Sequence, residues 1–524
     1  MKLRDGGGIC SDGDWCTPRD PDLAADLRQV WWSRIMDWGL VPRLREHVLT
    51  CARTPLLSDE EIQVLRSDLC SFLKKQGCAC SETIASHQPI TLDLLKGMLQ
   101  LWSDTDVGLP DQLALGVPTG VLETIPPSGI WREIKVADRP PDELLVWDEP
   151  WPSGLDDPGL LLALVQSDVK DGFAEWLPAG MEEARKRFGP HCAAGKFGVV
   201  KKDGSAPRLV GDSSISNVNG LCRIREKIEL PGISSIGAFV SRHAHQDWIA
   251  FSLDFNKAHK RVKIHPSEQG LSIFAVPDQD GVCHWVFYRT AHFGASWASY
   301  WWSRLAAAFV RTGHRLLHHP HFLCIYVDDT FALLPRKVAG QMACLLVCLA
   351  CSLGFPLSWH KMAFGDSLQW IGWALHVSGD PCVVLPTDKR QLILCALNSI
   401  CASPKRVSRK DLQTLVGRLV WFCAAASSLR PWLQVWFHAL HKPGLHFLQL
   451  DMVQLSELHG AIDKAGKVVR ACRHCDARSG WRVLELAGSG VRSANDVLSP
   501  PLKQGRVWEK FGEPEPKIIK FSQG

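Results

Sequence analysis

The sequence predicts an α+β fold, and two observations indicate it. Short apolar runs typical of strands, such as residues 248–255 and 322–334, are mixed with segments of helical periodicity. The two kinds of segment do not follow the regular strand–helix–strand order of a parallel α/β protein. At 524 residues the chain is too long for one compact domain and suits about two to four.

Helical patterns dominate the first part of the chain. From about 23 to 101 the periodicity is helical, and Asp59-Glu60-Glu61 opens a segment with apolar residues at helix-like spacing. Residues 103–158 contain many prolines, so we expect a linker or a chain draped over another domain. A further helical segment is predicted near 159–188. We therefore assign residues 1–158 to an N-terminal, mainly helical region with a Pro-rich linker of unknown role.

Composition indicates a globular protein and leaves its partner open. Hydrophobic residues make up 46% of the chain and charged residues 22%, which excludes a disordered composition. The net charge of +4 neither demands nor excludes nucleic acid, because a binding cleft needs only local positive charge.

The same composition suggests where the protein resides. No signal-peptide-like apolar core is seen in residues 1–14, and the longest apolar run, 342–355, is shorter than the roughly 20 residues that span a bilayer. We expect reduced thiols among the 19 cysteines, an intracellular protein (cytoplasmic or nuclear, not secreted) and no membrane partner. The oligomeric state is left open.

Local signals place further elements in the second half. Residues 196–210 read as a hairpin around an Asp-Gly turn. Two helices are predicted near 409–426 and 428–441, and Ser408 with Asp411 suggests a capping box at the start of the first.

Three carboxylates carry the functional hypothesis. Asp328 and Asp329 interrupt an apolar hairpin, where aspartate is also a favoured turn residue, so the pair alone has a simple structural explanation. Asp254, however, ends another apolar run, and carboxylates from neighbouring strand ends can converge on Mg²⁺, which prefers oxygen ligands. Two such ions about 4 Å apart stabilise the attacking and leaving oxygens of phosphoryl transfer. Because the carboxylates would repel one another without a metal, the set favours a metal site.

Two motifs in a fixed order carry a family resemblance. Asp254-Phe255-Asn256-Lys257-Ala258 precedes Tyr326-Val327-Asp328-Asp329, and together they resemble the reverse transcriptases of retroelements, closest to long-terminal-repeat and tyrosine-recombinase retrotransposons. The resemblance covers about residues 160–445 and implies a right-hand polymerase of fingers, palm and thumb. It implies that Asp254 and Asp328 bridge two Mg²⁺ ions, with Mn²⁺ as an alternative. Asp329 would assist, and the Phe255 carbonyl would be a further ligand.

The resemblance also implies roles in nucleotide binding. Lys201, Lys202 and Arg208 resemble cations of the fingers that grip the triphosphate, although lysines on an exposed hairpin can simply be solvated. Gly294, in a segment resembling a template and nucleotide loop, would let the backbone approach the nucleotide. Lys361 would be the general acid that protonates the pyrophosphate leaving group. The alternative is that Lys361 is an exposed lysine without a role.

Other matching positions concern the sugar and the primer. His259 stands where the family usually has Tyr or Phe, the wall that excludes the ribose 2′-hydroxyl, and an imidazole can block that hydroxyl or bind it. Trp370 and Gly372 resemble the primer grip. Trp301 and Trp302, beside the template loop, are candidates for base stacking, with a core role as the alternative.

The resemblance divides the chain and implies a reaction. Residues 159–378 would form fingers and palm, residues 379–445 a helical thumb, and residues 446–524 a C-terminal helix and a disordered tail. The activity would be RNA-directed DNA synthesis, a nucleotidyl transfer to a primer 3′-hydroxyl. Its partners would be an RNA (or DNA) template, a DNA primer and product, and deoxynucleoside triphosphates. The alternatives are a catalytically inactive or domesticated relative that binds nucleic acid, and a DNA-templated or template-independent polymerase on the same palm.

Overall fold

The structure is a computed structural model. It describes the following residues: 22–85, 88–136, 143–201, 206–243, 245–379, 381–402, 407–425, 430, 433–441, 447–448, 468–471, 481–487 and 490–493.

The helices and strands follow one another along the chain. The first elements are α1 (Ala25–Asp37), α2 (Leu40–Thr50), α3 (Asp59–Lys75), α4 (Leu92–Leu101), α5 (Leu109–Leu115), β1 (Arg132–Glu133), α6 (Pro152–Leu155), α7 (Pro158–Lys170), β2 (Ala174–Leu177), α8 (Gly180–Phe188), β3 (Ala194–Val200), β4 (Arg208–Asp212), α9 (Val218–Leu221) and β5 (Glu226–Lys227). Next come α10 (Ile233–Arg242), β6 (Trp248–Asp254), β7 (Ile273–Pro277), β8 (Cys283–Tyr288), α11 (Ser296–Leu316), β9 (Phe322–Tyr326), β10 (Asp329–Pro335) and α12 (Ala339–Ser352). The remaining elements are β11 (Ala363–Gly365), β12 (Ser367–Trp370), β13 (Trp373–His376), β14 (Cys382–Val384), α13 (Thr387–Ala402), β15 (Val407–Ser408), α14 (Arg409–Phe422), α15 (Gln434–His441), β16 (Phe447–Leu448), β17 (Val468–Ala471), β18 (Trp481–Ala487) and β19 (Gly490–Ser493). Short 3-10 turns lie at Ala258–Arg261, Pro266–Leu271 and Trp359–Lys361.

These elements form two compact units. The first comprises residues Met1–Leu230 and Ser252–Ala363, and the second comprises Pro231–Phe251 and Phe364–Gly524. The first contains a five-stranded sheet of order β2-β8-β7-β3-β4, in which β3 and β7 are parallel neighbours and the other pairs are antiparallel. The second contains a six-stranded antiparallel sheet of order β12-β13-β14-β17-β18-β19. The mixture of helices and mostly antiparallel sheets confirms the predicted α+β class, and the fingers, palm and thumb stay a prediction.

The N-terminal helices share a hydrophobic core with α12. Every residue of α12 except Gln341 is buried, as expected of a helix that is apolar on all sides. The helices α1, α2 and α3 pack against it. A capping box fixes the start of α3, because Ser58 Oγ accepts from the Glu61 N–H and the Glu61 carboxylate accepts from the Ser58 N–H.

Part of the Pro-rich segment hydrogen-bonds along the first unit, to which it belongs. Val117 exchanges backbone hydrogen bonds with the 263–265 segment, and the Trp147 N–H donates to the Ala194 carbonyl at 3.1 Å. The helical pattern that follows is interrupted, because β2 separates α7 from α8.

Several local predictions are confirmed. The hairpin near 196–210 is the β3–β4 pair. In the second unit, Ser408 caps α14 by accepting from the Asp411 N–H at 3.0 Å, which is one half of the predicted capping box. The described elements of residues 446–524 are strands, with no helix among them, and the predicted tail lies outside the described residues. None of the described helices combines the length and the apolar character needed to cross a membrane.

The conformation of Gly354 leads to a stability prediction. Gly354 and Gly77 both have positive φ, +76° and +83°, which costs about 1 kcal/mol for an alanine. A Cβ at Gly354 would also collide with the Pro89 carbonyl, whereas a Cβ at Gly77 meets nothing within 4 Å. We expect Gly354→Ala to lower the free energy of unfolding by about 1–3 kcal/mol more than Gly77→Ala, measured by chemical denaturation. Equal losses would show that the 354 backbone can move away from Pro89.

Candidate active site

The candidate site begins where buried strands end. Six of the seven residues of β6 are buried, and its last residue, Asp254, is half-buried. The strands β9 and β10 pair with Asp329 opposite Tyr326, which leaves Val327 and Asp328 as a two-residue turn. Apolar strands thus carry the carboxylates to an edge of the core.

The turn between β9 and β10 has a strained backbone. Val327 has φ +58°, which is rare for a β-branched residue, and two-residue turns with positive φ at this position usually contain glycine. The Trp302 indole N–H donates to the Val327 carbonyl at 2.6 Å, and Trp302 is fully buried. A buried side chain therefore fixes the turn that presents Asp328, and such strain is common at functional sites.

Backbone pairing brings Asp254 and Asp328 together. The Asn256 N–H donates to the Pro356 carbonyl and the Ser358 N–H to the Asp254 carbonyl, both at 2.8 Å. In an antiparallel pair, the residue between such bonds directs its own N–H and C=O to the opposite side. The Phe255 N–H accordingly donates to the Asp328 carbonyl at 2.9 Å.

Nearby positive charge neutralises the Asp254 carboxylate more fully than the Asp328 carboxylate. Lys361 Nζ donates to both oxygens of Asp254, at 3.0 and 2.9 Å, while half of the lysine side chain stays exposed. Burial, and next the charge of Asp254, raises the pKa of the Asp328 carboxyl, and the charges of Lys361 and Arg208 partly oppose this rise. The positive charges of Lys361 and Arg208 therefore do not fully compensate the negative charge of an ionised Asp328 carboxylate.

The donors here suit one hard cation. The Asp254 and Asp328 carboxylates, with the Phe255 carbonyl, would supply oxygen ligands, and a divalent ion would relieve the repulsion between the two carboxylates. Within the described part of the chain, no group of three or more His, Cys, Asp or Glu side chains is placed to hold a metal. Asp329 as a third carboxylate ligand, and a second ion, stay predictions.

The predicted fingers cations behave differently from one another. Arg208, exposed at the start of β4, lies close enough for its charge to lower the pKa of Asp328. Lys201 lies 3.5 Å from the Asp157 carboxylate in an exposed ion pair. Lys202 lies outside the described residues.

Gly294 lies where two backbone segments meet. It has φ +100°, and a Cβ would collide with the Gly211 carbonyl of β4. Asn219 fixes the same loop, donating to the Gly294 carbonyl and accepting from the Ser296 N–H, both at 2.8 Å. Close packing against β4 explains this glycine, and its contact with a nucleotide stays a prediction.

Two neighbouring histidines are held neutral. Burial lowers the pKa of His259 to about 4, and that of His292 to about 4 as well. His259 Nδ1 is buried and makes no hydrogen bond to any described residue. The His259 ring contacts Phe293 edge-on, with centroids 5.1 Å apart. Its role at the sugar stays a prediction.

A buried ion pair between Lys260, the residue after His259, and Asp168 was not predicted from the sequence. Lys260 Nζ donates to both oxygens of Asp168, at 2.5 and 2.6 Å, and the Tyr288 hydroxyl donates to the same carboxylate at 2.7 Å. Burial lowers the pKa of Lys260, and the Asp168 charge opposes that shift. Since Asp168 lies 92 positions from Lys260, no local pattern marks the pair, which anchors the 3-10 turn after Asp254.

The stacking interpretation of two tryptophans was wrong. Trp301 and Trp302 are fully buried, and the Trp301 indole donates to the Pro118 carbonyl at 2.9 Å. Neither ring can serve as an exposed platform for a base, so the alternative core role applies.

The predicted primer-grip residues form a tight hairpin in the second unit. Ile371 and Gly372 have φ +42° and +84° between paired Trp370 and Trp373, which is the type I′ turn. The Trp421 indole of α14 donates to the Ile371 carbonyl at 3.3 Å. Binding of a primer by this hairpin stays a prediction.

The chain matches no protein-family model and no curated protein. Among solved structures it is similar to a foamy viral protease-reverse transcriptase (dRH) in complex with double-stranded DNA, with 14% identity, a TM-score of 0.43, and coverage of 78% of this chain and 61% of that one. It is also similar to a foamy viral protease-reverse transcriptase in complex with an RNA/DNA hybrid, with 13% identity and a TM-score of 0.45. The match covers 78% of this chain and 46% of that one. The chain thus spans about half to three fifths of those proteins, and likenesses this weak do not establish its family.

The Lys361–Asp254 pair leads to a metal-binding prediction. Because the ammonium occupies both Asp254 oxygens, we expect Lys361→Met to raise the affinity for Mn²⁺ by about threefold to tenfold. Isothermal titration calorimetry with Mn²⁺ measures this affinity. Lys75→Met removes the same charge from an exposed pair with Asp26 and serves as the control. An affinity that is unchanged or weaker in Lys361→Met would show that the lysine does not compete with the ion.

The raised pKa of Asp328 leads to a stability prediction with a defined pH range. A carboxyl whose pKa is higher in the folded than in the unfolded state destabilises the protein above both pKa values, and this effect disappears below both. We expect Asp328→Asn to raise the free energy of unfolding by on the order of 1 kcal/mol at pH 7. The gain should shrink as the pH falls towards about 4, the ordinary carboxyl value.

Chemical denaturation at several pH values tests this, with the exposed Glu46→Gln as a matched charge change. A loss of stability at pH 7 would show that Asp328 makes net favourable contacts.

Proposed function

We propose that this chain is a template-directed nucleotidyltransferase, an RNA-directed DNA polymerase that extends a DNA primer with deoxynucleoside triphosphates. The supporting observation is the convergence of Asp254 and Asp328 at a strained turn, with two cations beside them. The proposal takes the RNA template and the DNA primer from the motif resemblance. A subtype close to long-terminal-repeat or tyrosine-recombinase retrotransposons belongs to the same proposal.

The geometry suits phosphoryl transfer because that chemistry needs mainly positioning and charge neutralisation. The Asp254 and Asp328 carboxylates and the Phe255 carbonyl would hold Mg²⁺ or Mn²⁺. Bound there, such an ion supplies charge stabilisation for the reacting oxygens. Arg208 adds a positive charge near Asp328, and a triphosphate bound there would need cationic partners.

The position of Lys361 refines its proposed role. A general acid must reach the leaving group, but the ammonium of Lys361 is bound to both Asp254 oxygens. As a counter-ion it keeps the ionised carboxylate stable before an ion arrives. Proton donation to pyrophosphate would require the lysine to leave Asp254 first, so the geometry supports the counter-ion role more directly.

A second candidate is a protein that binds nucleic acid without turnover. The ion pair favours it, because Lys361 already neutralises Asp254. Such a protein would bind template–primer with salt-dependent affinity and would not extend it.

Primer extension separates the two candidates. We expect the full chain to extend a DNA primer on an RNA template with Mg²⁺ or Mn²⁺, and we expect Asp254→Asn and Asp328→Asn to lower the rate by at least about 100-fold. Asp111→Asn, which removes an exposed carboxylate paired with Lys96, should extend normally.

Two results would contradict the polymerase. Extension that survives Asp254→Asn would exclude the carboxylate site as its source. Salt-dependent binding of template–primer, without extension in either ion, would support the second candidate. Comparing an RNA with a DNA template in the same assay tests the choice of template.

A further inference from the structure

A four-residue segment of the N-terminal region lies against the site. Residues 88–91 precede α4, and the side chains of Gln88, Ile90 and Thr91 are at most 1% exposed. Thr91 occupies the N-cap position of α4 but makes no side-chain cap to its own helix. Threonine at this position usually caps its helix, so its hydroxyl has a different partner here.

Gln88 holds the segment that follows Asp254. Its Nε2 donates to the Arg261 carbonyl at 3.1 Å, and its Oε1 accepts from the Ile90 N–H at 3.3 Å. Arg261 ends the 3-10 turn that begins four residues after Asp254. A buried amide bound on both sides fixes the far end of this turn, because unpaired buried polar groups are costly.

Thr91 holds the beginning of the segment that carries Lys361. Its hydroxyl donates to the Ser352 carbonyl and its N–H to the Leu353 carbonyl, both at 3.0 Å. These carbonyls lie at the C-terminal end of α12, where helix carbonyls lack partners within the helix. At the next residue, Gly354 packs directly on the Pro89 carbonyl.

The segment held by Thr91 leads directly to the carboxylates. Beyond Gly354, the Pro356 carbonyl accepts from Asn256, the Ser358 N–H donates to Asp254, and the 3-10 turn that follows ends at Lys361. The nearly buried His47 adds a hydrogen bond of its Nε2 with the Trp359 carbonyl at 3.3 Å.

We infer that residues 88–91 form a positioning element of the carboxylate site, with Gln88 fixing the Asp254 side and Thr91 the Lys361 side. The bonds span 173 and 261 sequence positions, so one short segment joins two site segments that are distant in the sequence. The N-terminal region thereby acquires a role at the site. The effect on catalysis rests on the proposed function, whereas the effect on the positions of the two segments does not.

Paired variants of Thr91 test the inference. Thr91→Val keeps the volume and loses the hydroxyl, whereas Thr91→Ser keeps the hydroxyl. Loss of one buried hydrogen bond should speed amide hydrogen exchange in residues 353–361 by about tenfold. Exchange in β3 should stay unchanged, and Thr91→Ser should behave like the wild type. The measurement is hydrogen–deuterium exchange by mass spectrometry on the full chain.

Gln88→Leu provides an independent arm. Since Gln88 bonds to Arg261, this variant should speed exchange in residues 254–261 more than in residues 353–361, the reverse of the Thr91→Val pattern. If both variants speed exchange equally in all segments including β3, or leave both site segments unchanged, the positioning role is excluded.

Primer extension adds a readout that a general loss of stability would not produce. Displaced catalytic groups slow the chemical step, so Thr91→Val should lower kcat by about tenfold with an unchanged KM for the nucleotide, and Thr91→Ser should restore kcat. If the wild type does not extend a primer, the proposed function fails, while the exchange pattern still decides the inference.

Discussion

The repulsion between the Asp254 and Asp328 carboxylates is the constraint on which the rest of the site depends. Hydrogen bonding of Phe255 to the Asp328 backbone forces the two acids close together, and burial raises the pKa of Asp328. Two ionised groups at the edge of an apolar core are stable only beside positive charge. Lys361 and Arg208 supply part of this positive charge, and a bound divalent cation would supply the rest.

Two buried contacts of the first unit hold the backbone on either side of this unfavourable arrangement. Trp302 donates to the strained Val327 turn from within the core, and the Asp168–Lys260 pair anchors the chain beyond Asp254. Both devices are buried, so water competes little with their hydrogen bonds. A site assembled in this way can keep its geometry at a cost in stability, as active sites often do.

The N-terminal helices belong to the same support. They cover α12, and the segment before α4 hydrogen-bonds to the backbone on both sides of the carboxylates. Variation in this region would therefore act on the site through backbone position rather than through contact with a substrate. The neutral His259, whose pKa is lowered by burial, offers an uncharged polar group beside the same segment.

The sequence by itself determined the local elements and the position of the acids. Apolar runs ending in Asp254 and around Asp328 predicted the strands and the turn, because period and turn chemistry are local properties. Tertiary structure alone decided that Lys361 binds Asp254, that Trp301 and Trp302 are buried, and that Gln88 and Thr91 reach the site. The hydrogen bonds of Lys361, Gln88 and Thr91 join residues 107 to 261 positions apart, and no local pattern encodes such contacts. Burial of the two tryptophans depends on which face of their helix the rest of the protein covers, which the local sequence does not encode either.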